Sequence, residues 1–511
     1  MNIIDGILRY VHEYFSPELP EAGFFLDKQS FTYRVSKKVP DFGPPKVGPT
    51  RLVLNNNNLV PRRRGSRPRK NNFFRALVYS EMTETMMPQP EPVPPPVEKD
   101  TRRLGGRLSV KHTFAALKYP NYRLWFWGQM VSLFGTWMQM TAQGFLVFEL
   151  THSPAYLGYV GFSAGIPTWV FMLYGGVIAD RMSRRTLLII TQTSMMVLAF
   201  ILAALAFLHL VQAWHIIMLA FGLGVANAFD APARQSFVLE MVEREDLTNA
   251  IALNSTMFNS ATAVGPAVSG VTYALFGPAW CFTINGISFI AVIGALLLMK
   301  LKSQASPAQR NSIRADLKEG IHYVKSQPMV RTLIGLVGMT SLFGLSFATL
   351  IPAWAVTILG GNATTNGFLQ SARGTGALFS ALFIASLGRF KFKGKLLTFG
   401  TFAFPALLLV FAFVRWLPLS LFMLVGVGVA SILIMNLANA LVQILVPDSL
   451  RGRVMGIYAL TFFGLMPIGA LWIGAVAQHI GAPNAVIIAS LISLGFASLV
   501  WTIVPKLRTL Q

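Results

Sequence analysis

Residues 176–208 read GVIADRMSRRTLLIITQTSMMVLAFILAALAFL, and the change of chemistry inside this stretch decides the fold. Up to Arg185 the segment is a charged loop. From Thr186 to Leu208 no charged residue occurs. A run of about 20 apolar residues, rising about 1.5 Å per residue, matches a bilayer core of roughly 30 Å. A helix buried in a soluble protein would show a polar face at helical spacing, and this run and most of its counterparts lack one.

Working outward, similar runs recur from Tyr122 to Val504, at roughly 122–148, 155–178, 186–208, 214–233, 250–276, 280–299, 330–358, 364–387, 396–414, 418–446, 454–477 and 484–504. The 511 residues are 53% hydrophobic and only 13% charged, where a soluble domain carries roughly 25% charged residues. Trp125, Trp127, Trp214, Trp280, Trp416 and Trp501 fall near run ends, as an interfacial aromatic belt requires. The fold class is an all-α membrane protein with twelve transmembrane helices in two six-helix halves.

The formal net charge of +22 is a topology signal here. Arg102, Arg103, Arg107, Lys111, Lys118 and Arg123 precede or open the first run. Arg181, Arg184 and Arg185 follow the second, and Arg234 and Arg244 the fourth. Lys300, Lys302, Arg310, Arg314, Lys318 and Lys325 follow the sixth, Arg389, Lys391, Lys393 and Lys395 the eighth, and Arg451 and Arg453 the tenth. Lys506 and Arg508 close the chain. Arg415 is the exception among the alternate loops. The positive-inside rule then puts both termini in the cytoplasm, with the protein in the inner membrane.

Residues 1–118 form a separate region. The asparagine run Asn55 to Asn58, the basic stretch Arg62 to Lys70 and the prolines between Pro88 and Pro96 cannot bury enough apolar surface to offset ordering entropy. A disordered cytoplasmic extension is expected. It has no signal-peptide apolar core, and a start near Met82, Met86 or Met87 is an open alternative. The basic stretch is read as a solvated tail, with anionic lipid or nucleic acid as rival partners; no nucleic-acid function is expected. Residues 119–299 make the first half, 300–329 a linker, 330–505 the second half and 506–511 a tail. In the linker, Ile313, Leu317, Ile321 and Val324 recur amid Arg314, Lys318 and Lys325, the pattern of an amphipathic helix on the cytoplasmic face. The halves echo each other: Val242 to Leu247 answers Val446 to Arg451, and Gly265-Pro266 answers Met466-Pro467. Parallel six-span halves are a transporter architecture, with the substrate site between them near the midplane.

The loop Gly176-Val-Ile-Ala-Asp180-Arg181-Met-Ser183-Arg184-Arg185 resembles the major facilitator signature G-x-x-x-D-R-x-G-R-R. Gly176 is expected to permit close helix approach. Asp180 is expected to accept from N–H groups at a helix start, and the arginines to hold the inner face and reach carboxylates across the seam between halves. Three further stretches resemble a bacterial subfamily that includes the enterobactin exporter and the transmembrane secretion effectors. These are Gly135 to Gly144 with Glu149 to Ser153, Asn227 to Gln235 continuing through Leu247 to Gly270, and Val446 to Met455. The resemblance spans about residues 112–505 and implies proton-coupled export of a small molecule by a monomer. Gly265-Pro266-Ala-Val-Ser-Gly270 is similar to the antiporter motif, whose small residues and proline allow a bend and tight contact. Ser183 departs from the signature, and the loop Gly388 to Lys393 has cations without an aspartate, so an inner-face clasp is expected to be one-sided.

Ionisable groups inside spans are costly and mark function by default. Arg373 lies about ten residues into the eighth run, roughly 15 Å deep. It is expected to face the central cavity and attract an acidic substrate, or to pair with a carbonyl. Asp230 stands four residues before Arg234, a spacing that allows a helical pair; meeting Arg181 or Arg184 is the alternative. With Arg451 and Arg453 these two make the candidate clasp. Gln139, Gln143, Asn259, Asn436 and Asn439 are candidate cavity residues, each weighed against an interhelical hydrogen bond. Asn285 and Gln443 are similar.

One cysteine, Cys281, excludes an internal disulfide. No metal site or cofactor is expected. The histidines form no H-E-x-x-H, and the G-x-S-x-G match at Gly161 to Gly165 falls inside an apolar run and does not stand out as a nucleophile turn, so an intramembrane enzyme is disfavoured. A channel is disfavoured by the two-half repeat. Uptake is the serious rival to export.

Overall fold

The computed structural model describes residues 114–300, 313–387, 390, 392 and 393–510. The N-terminal extension to residue 113 lies outside them, as does most of the linker before Ile313. Met172, Leu173, Val177, Ala179, Asp180, Arg181, Thr509 and residues 313–316 are described by backbone alone.

No strand occurs among the described residues. Six helices make the first half: α1 Pro120–Thr151, α2 Pro154–Arg181, α3 Arg184–Phe207, α4 Ala213–Phe237, α5 Leu247–Phe276 and α6 Pro278–Leu298. Six more make the second: α7 Pro328–Ile358, α8 Ala363–Ser386, α9 Lys393–Phe413, α10 Leu417–Leu445, α11 Asp448–Ile480 and α12 Ala482–Ile503. Eight of the twelve are apolar and long enough to cross a membrane by composition alone. The others are α1, α2, α5 and α8. They carry more glycine and polar residues because they pack on protein over much of their length, where small residues and hydrogen bonds replace lipid contact.

The helix ends follow local chemistry. Proline opens α1, α2 and α6, where its missing N–H costs nothing. The Asn362 side chain accepts from Thr364 N at 3.0 Å and Thr365 N at 3.3 Å, capping α8. Gly277 and Gly481 take φ of 85° and 82° at equivalent outer turns of the two halves, a conformation that favours glycine. The largest departure from the apolar runs is α11, which starts at Asp448 rather than near residue 454. Its first turns, Asp448 to Arg453, are charged and extend the helix beyond the hydrocarbon. α4 likewise continues through Pro232 to Phe237. α7 is irregular: an α segment to Met339, a π turn Thr340–Gly344, a 3-10 stretch Leu345–Leu350, one α turn around Pro352 and a second π turn Trp354–Ile358.

Each half has its own apolar core. Tyr122, Trp125, Leu188, Phe237 and Phe289 belong to the first, and Leu333, Phe404, Phe411, Leu424 and Ile473 to the second. A third cluster, around Phe145, Phe148 and Phe282 at the outer end, takes in Ala353 and Ala363 from the other half. The linker helix, Ile313–Ser326, docks on the second half. A Cβ at Gly320 would touch Ile457 and Arg453 of α11, and Val324 is buried in the second core. Its apolar stripe therefore meets protein.

Candidate functional site

The halves meet along two seams, and in both the outer ends are closed. On the first, α2 lies against α11. A Cβ on Gly474 would come 2.8 Å from the Pro154 carbonyl oxygen and 2.9 Å from Gly158 Cα; one on Gly158 would come 2.7 Å from the Ala470 oxygen. Ser153 Oγ donates to Gln478 Oε1 at 2.6 Å over the top. On the second seam α5 lies against α8. A Cβ on Gly270 would come 2.7 Å from the Ala363 oxygen and 3.1 Å from Gly367 Cα, and Thr364 Oγ1 donates to the Gly270 carbonyl at 3.3 Å. These are backbone-to-backbone approaches that only glycine permits. In the motif Gly265-Pro266-Gly270, Gly270 serves this seam, Gly265 fits Trp137 of α1, and α5 stays helical through Pro266.

The first seam is parted at its inner end. α2 and α11 run antiparallel in a register that sets Gly158 opposite Gly474 and Gly165 opposite Pro467. Continued inward, the same register sets Gly176 opposite Gly456. A Cβ on either would meet nothing within 4 Å. Among the described residues this seam is closed at the end that carries Gly158 and Gly474 and parted at the end that carries Gly176 and Gly456. This corrects one expectation. Gly176 does not hold neighbouring helices together here; Gly175 does, against the backbone of Ala228 and Phe229 in α4. Gly176 sits on the parted end of the seam.

The signature arginines bond within their own half. Arg184 Nη1 lies 2.5 Å from Glu240 Oε1, joining α3 to the segment after α4. Arg185 Nη2 donates to the Leu297 carbonyl at 2.9 Å, at the C-terminus of α6, where a cation is favoured. The expected pairing across the seam is not made by these two residues. The side chains of Asp180 and Arg181 lie outside the described set. In the second half Arg451 pairs with Asp448 at 2.5 Å and Arg453 with Glu319 of the linker helix at 2.7 Å.

Asp230 is 1% exposed. Its Oδ1 accepts from Thr191 Oγ1 at 3.0 Å and Gln192 Nε2 at 2.8 Å, both on α3. Its Oδ2 lies 3.5 Å from Arg234 Nε. Of the two pairings the sequence allowed, the helical one with Arg234 is present, and Arg184 is engaged by Glu240. Just before α1, Lys118 Nζ and Tyr119 OH both meet Asp246 Oδ2, at 2.6 and 2.8 Å. The hydrogen bond to Asp246 holds the Lys118 ammonium above its usual pKa, and desolvation, then Asp246, raises the Tyr119 phenol.

The neutral candidates divide. Gln139 is buried and accepts from Asn285 Nδ2 at 2.7 Å, bridging α1 and α6 within the first half. Gln143 is buried one turn further out. Asn259 lies one turn inward of Thr262, on the seam face of α5, and donates to the Ser255 carbonyl of its own helix. Asn436 is exposed, and Asn439 accepts from Gln443 Nε2 at 2.5 Å within α10. Arg373 is the eleventh residue of α8, half-buried, and no described residue hydrogen-bonds or ion-pairs with its guanidinium.

One group escaped the sequence reading. Glu149, at the outer end of α1, accepts a short hydrogen bond from Tyr273 OH of α5. Together with His152, Phe148, Val356 and Asn362 it lines a cavity of about 440 Å³ where α1, α5, α7 and α8 converge. It lies just past the end of the first apolar run, inside a stretch read only for its family resemblance. Its partner lies 124 residues away, which no local pattern reveals.

Two six-helix halves that touch along glycine-lined seams, closed on one side and parted on the other, define a multi-pass membrane transporter of the major facilitator class. The model of the transmembrane secretion effector family matches residues 111–510, and the chain belongs to that family. Membership places it among transporters and not enzymes. Among curated relatives, the staphyloferrin A transporter of Staphylococcus aureus is 23% identical over 68% of this chain and 87% of its own length. The multidrug efflux pump Tap of Mycolicibacterium fortuitum is 25% identical over 74% and 94%. The enterobactin exporter EntS of Escherichia coli is 24% identical over 70% and 85%. Among solved structures, a mutant of the nucleoside transporter NupG aligns with a TM-score of 0.59 at 14% identity, covering 76% of this chain and 99% of its own. That likeness shows the fold.

Proposed function

We propose that this protein exports a small organic molecule from the cytoplasm by alternating access, coupled to inward movement of protons. The observation that carries the reading is the asymmetry of the first seam. Gly158 and Gly474 are in contact at the outer end, while Gly176 and Gly456, in the same register, face open space at the inner end. A chamber open to the cytoplasm is where an exporter collects cargo. Two relatives, named as a multidrug efflux pump and an enterobactin exporter, favour the outward direction.

In this reading both termini are cytoplasmic, as the loop charges require, and the protein works as a monomer in the inner membrane. When the inner ends close, Asp180, Arg181, Asp230 and Arg234 of the first half approach Arg451 and Arg453 of the second, and the present partners of these arginines are exchanged. Glu149 and Asp230 are the carboxylates available to carry a coupled proton. About 2.3 kcal/mol per charge per 100 mV is available for coupling. Uptake is the second reading, favoured by the structural likeness to a nucleoside transporter.

Inside-out vesicles, with and without an imposed proton gradient, separate the two. Export predicts gradient-stimulated accumulation of cargo in the vesicle lumen, and stimulated loss of preloaded cargo would establish uptake instead. Cargo comes from a screen in an efflux-deficient host comparing wild type with Asp180→Asn.

A further inference from the structure

The α8 helix has three distinct faces. Gly374 fits the backbone of Thr262 and Ala263 on α5. Gly376 fits Val425 of α10, and Gly428 of α10 in turn fits the Arg373 carbonyl. Phe368 and Phe379, 42% and 61% exposed, mark the outer wall. At about 100° per residue, Arg373 points roughly 120° to 140° away from those two phenylalanines, on the side turned inward between α5 and α10. Its backbone is fixed on two flanks, so the side chain has little freedom to withdraw.

The guanidinium is unmatched. Nε is buried without a hydrogen-bond partner, and the terminal nitrogens have access to open space and no partner among the described residues. Seven residues outward on the same face, Asn366 is buried with Nδ2 unpaired; seven inward, Ser380 is buried with Oγ unpaired. The carboxylates that lie deep enough to answer are occupied elsewhere: Asp230 by Thr191, Gln192 and Arg234, and Glu149 by Tyr273 at the outer end. Arg373 is thus a positive charge with no described counter-ion, flanked along its helix by two buried, unmet polar groups.

We propose that Arg373 is the charge-selecting residue of the transport chamber and that the cargo is a small organic monoanion whose carboxylate docks on this guanidinium. This rests on the transport reading above and specifies its substrate class. The planar fork matches a carboxylate through two parallel hydrogen bonds. A single arginine balances a single charge. A phosphate monoester, at about −1.5 to −2, would leave excess negative charge near the midplane, and a cation would be repelled. Arg373 is the residue that touches cargo.

The test uses the purified full chain in detergent with four probes on one scaffold: benzoate, benzamide, phenyl phosphate and benzylammonium. Millimolar benzoate is expected to raise the unfolding temperature, phenyl phosphate to raise it less, and benzamide and benzylammonium to leave it unchanged. Arg373→Gln should weaken apparent benzoate affinity about ten- to a hundredfold, and Arg373→Lys should recover part of it, which a merely structural role would not produce. Should Arg373→Gln not fold, phenylglyoxal modification of wild-type Arg373, read by mass spectrometry, is expected to be slowed by benzoate and not by benzamide. Equal stabilisation by benzoate and benzamide, no response to benzoate, or an undiminished response in Arg373→Gln overturns the assignment. None of these readouts depends on direction or on a gradient. An uptake result in vesicles would therefore overturn export and leave this proposal standing, and charge-blind binding would do the reverse.

Discussion

Gly474→Leu should force the outer seal open, and its size can be worked from the seam. A Cβ at this position falls 2.8 Å from the Pro154 oxygen, 2.9 Å from Gly158 Cα and 3.0 Å from Gly158 N. All three are backbone atoms, so no side chain can rotate aside, and α2 and α11 must separate. Overpacking of this kind costs about 1 to 3 kcal/mol. The strain exists only while the outer ends touch, so the equilibrium shifts toward the outward-open state by roughly 5- to 150-fold. Gly456→Leu acts in the opposite sense. It meets open space in the present state and obstructs only closure of the inner end. The readout is a cysteine at Thr349, which lies beneath the seal beside Gly161, probed with a membrane-impermeant maleimide from outside. The native Cys281 is fully buried and contributes little background. Labelling should rise in Gly474→Leu and fall to the unreactive baseline in Gly456→Leu, which should also stop transport. Unchanged outside labelling in Gly474→Leu, or full turnover in Gly456→Leu, would refute the seam reasoning.

Three other outcomes are expected. Asp230→Leu removes two interhelical hydrogen bonds, each worth about 0.6 to 1.7 kcal/mol in a membrane protein, so the thermal stability of the detergent-solubilised protein should drop by about 1 to 3 kcal/mol; an unchanged melting temperature would make the α3–α4 cluster energetically idle. The Arg453–Glu319 pair, 25% and 55% exposed, should show a coupling below about 1 kcal/mol in a double-mutant cycle on stability. A coupling of several kcal/mol would mean the linker helix is anchored chiefly by this contact. Glu149→Gln should preserve cargo exchange across vesicles while abolishing acceleration by a proton gradient; full acceleration in the variant would move proton carriage to another group.

Much of this architecture could be read in advance. Span positions depend on hydrocarbon thickness and on where charge stops, so most ends fell within a few residues of the helix termini. The inner start of α11 did not, because Asp448 to Arg453 continue a helix in water, and hydropathy is blind to that. Arg373 stood out because a charge at mid-depth is rare in any sequence. Which glycine serves which neighbour was not legible. Gly175 and Gly176 are adjacent, yet one fits α4 and the other faces a gap, a difference of about 100° that only the packing of other helices defines. The partners of Arg184 and Arg185 were hidden for the same reason, since Glu240 and the Leu297 carbonyl lie 56 and 112 residues away.

The mixed winding of α7 has a mechanical consequence. Six residues from Leu345 to Leu350 coil as 3-10 helix, rising about 2 Å each, where an α-helix rises about 1.5 Å. Rewinding that stretch would shorten the rod by about 3 Å and turn everything beyond it, including Pro352, which faces Gly144 across the divide between the halves. One span thus contains a built-in stroke, able to draw its tip away from the opposite half while its first turns stay packed.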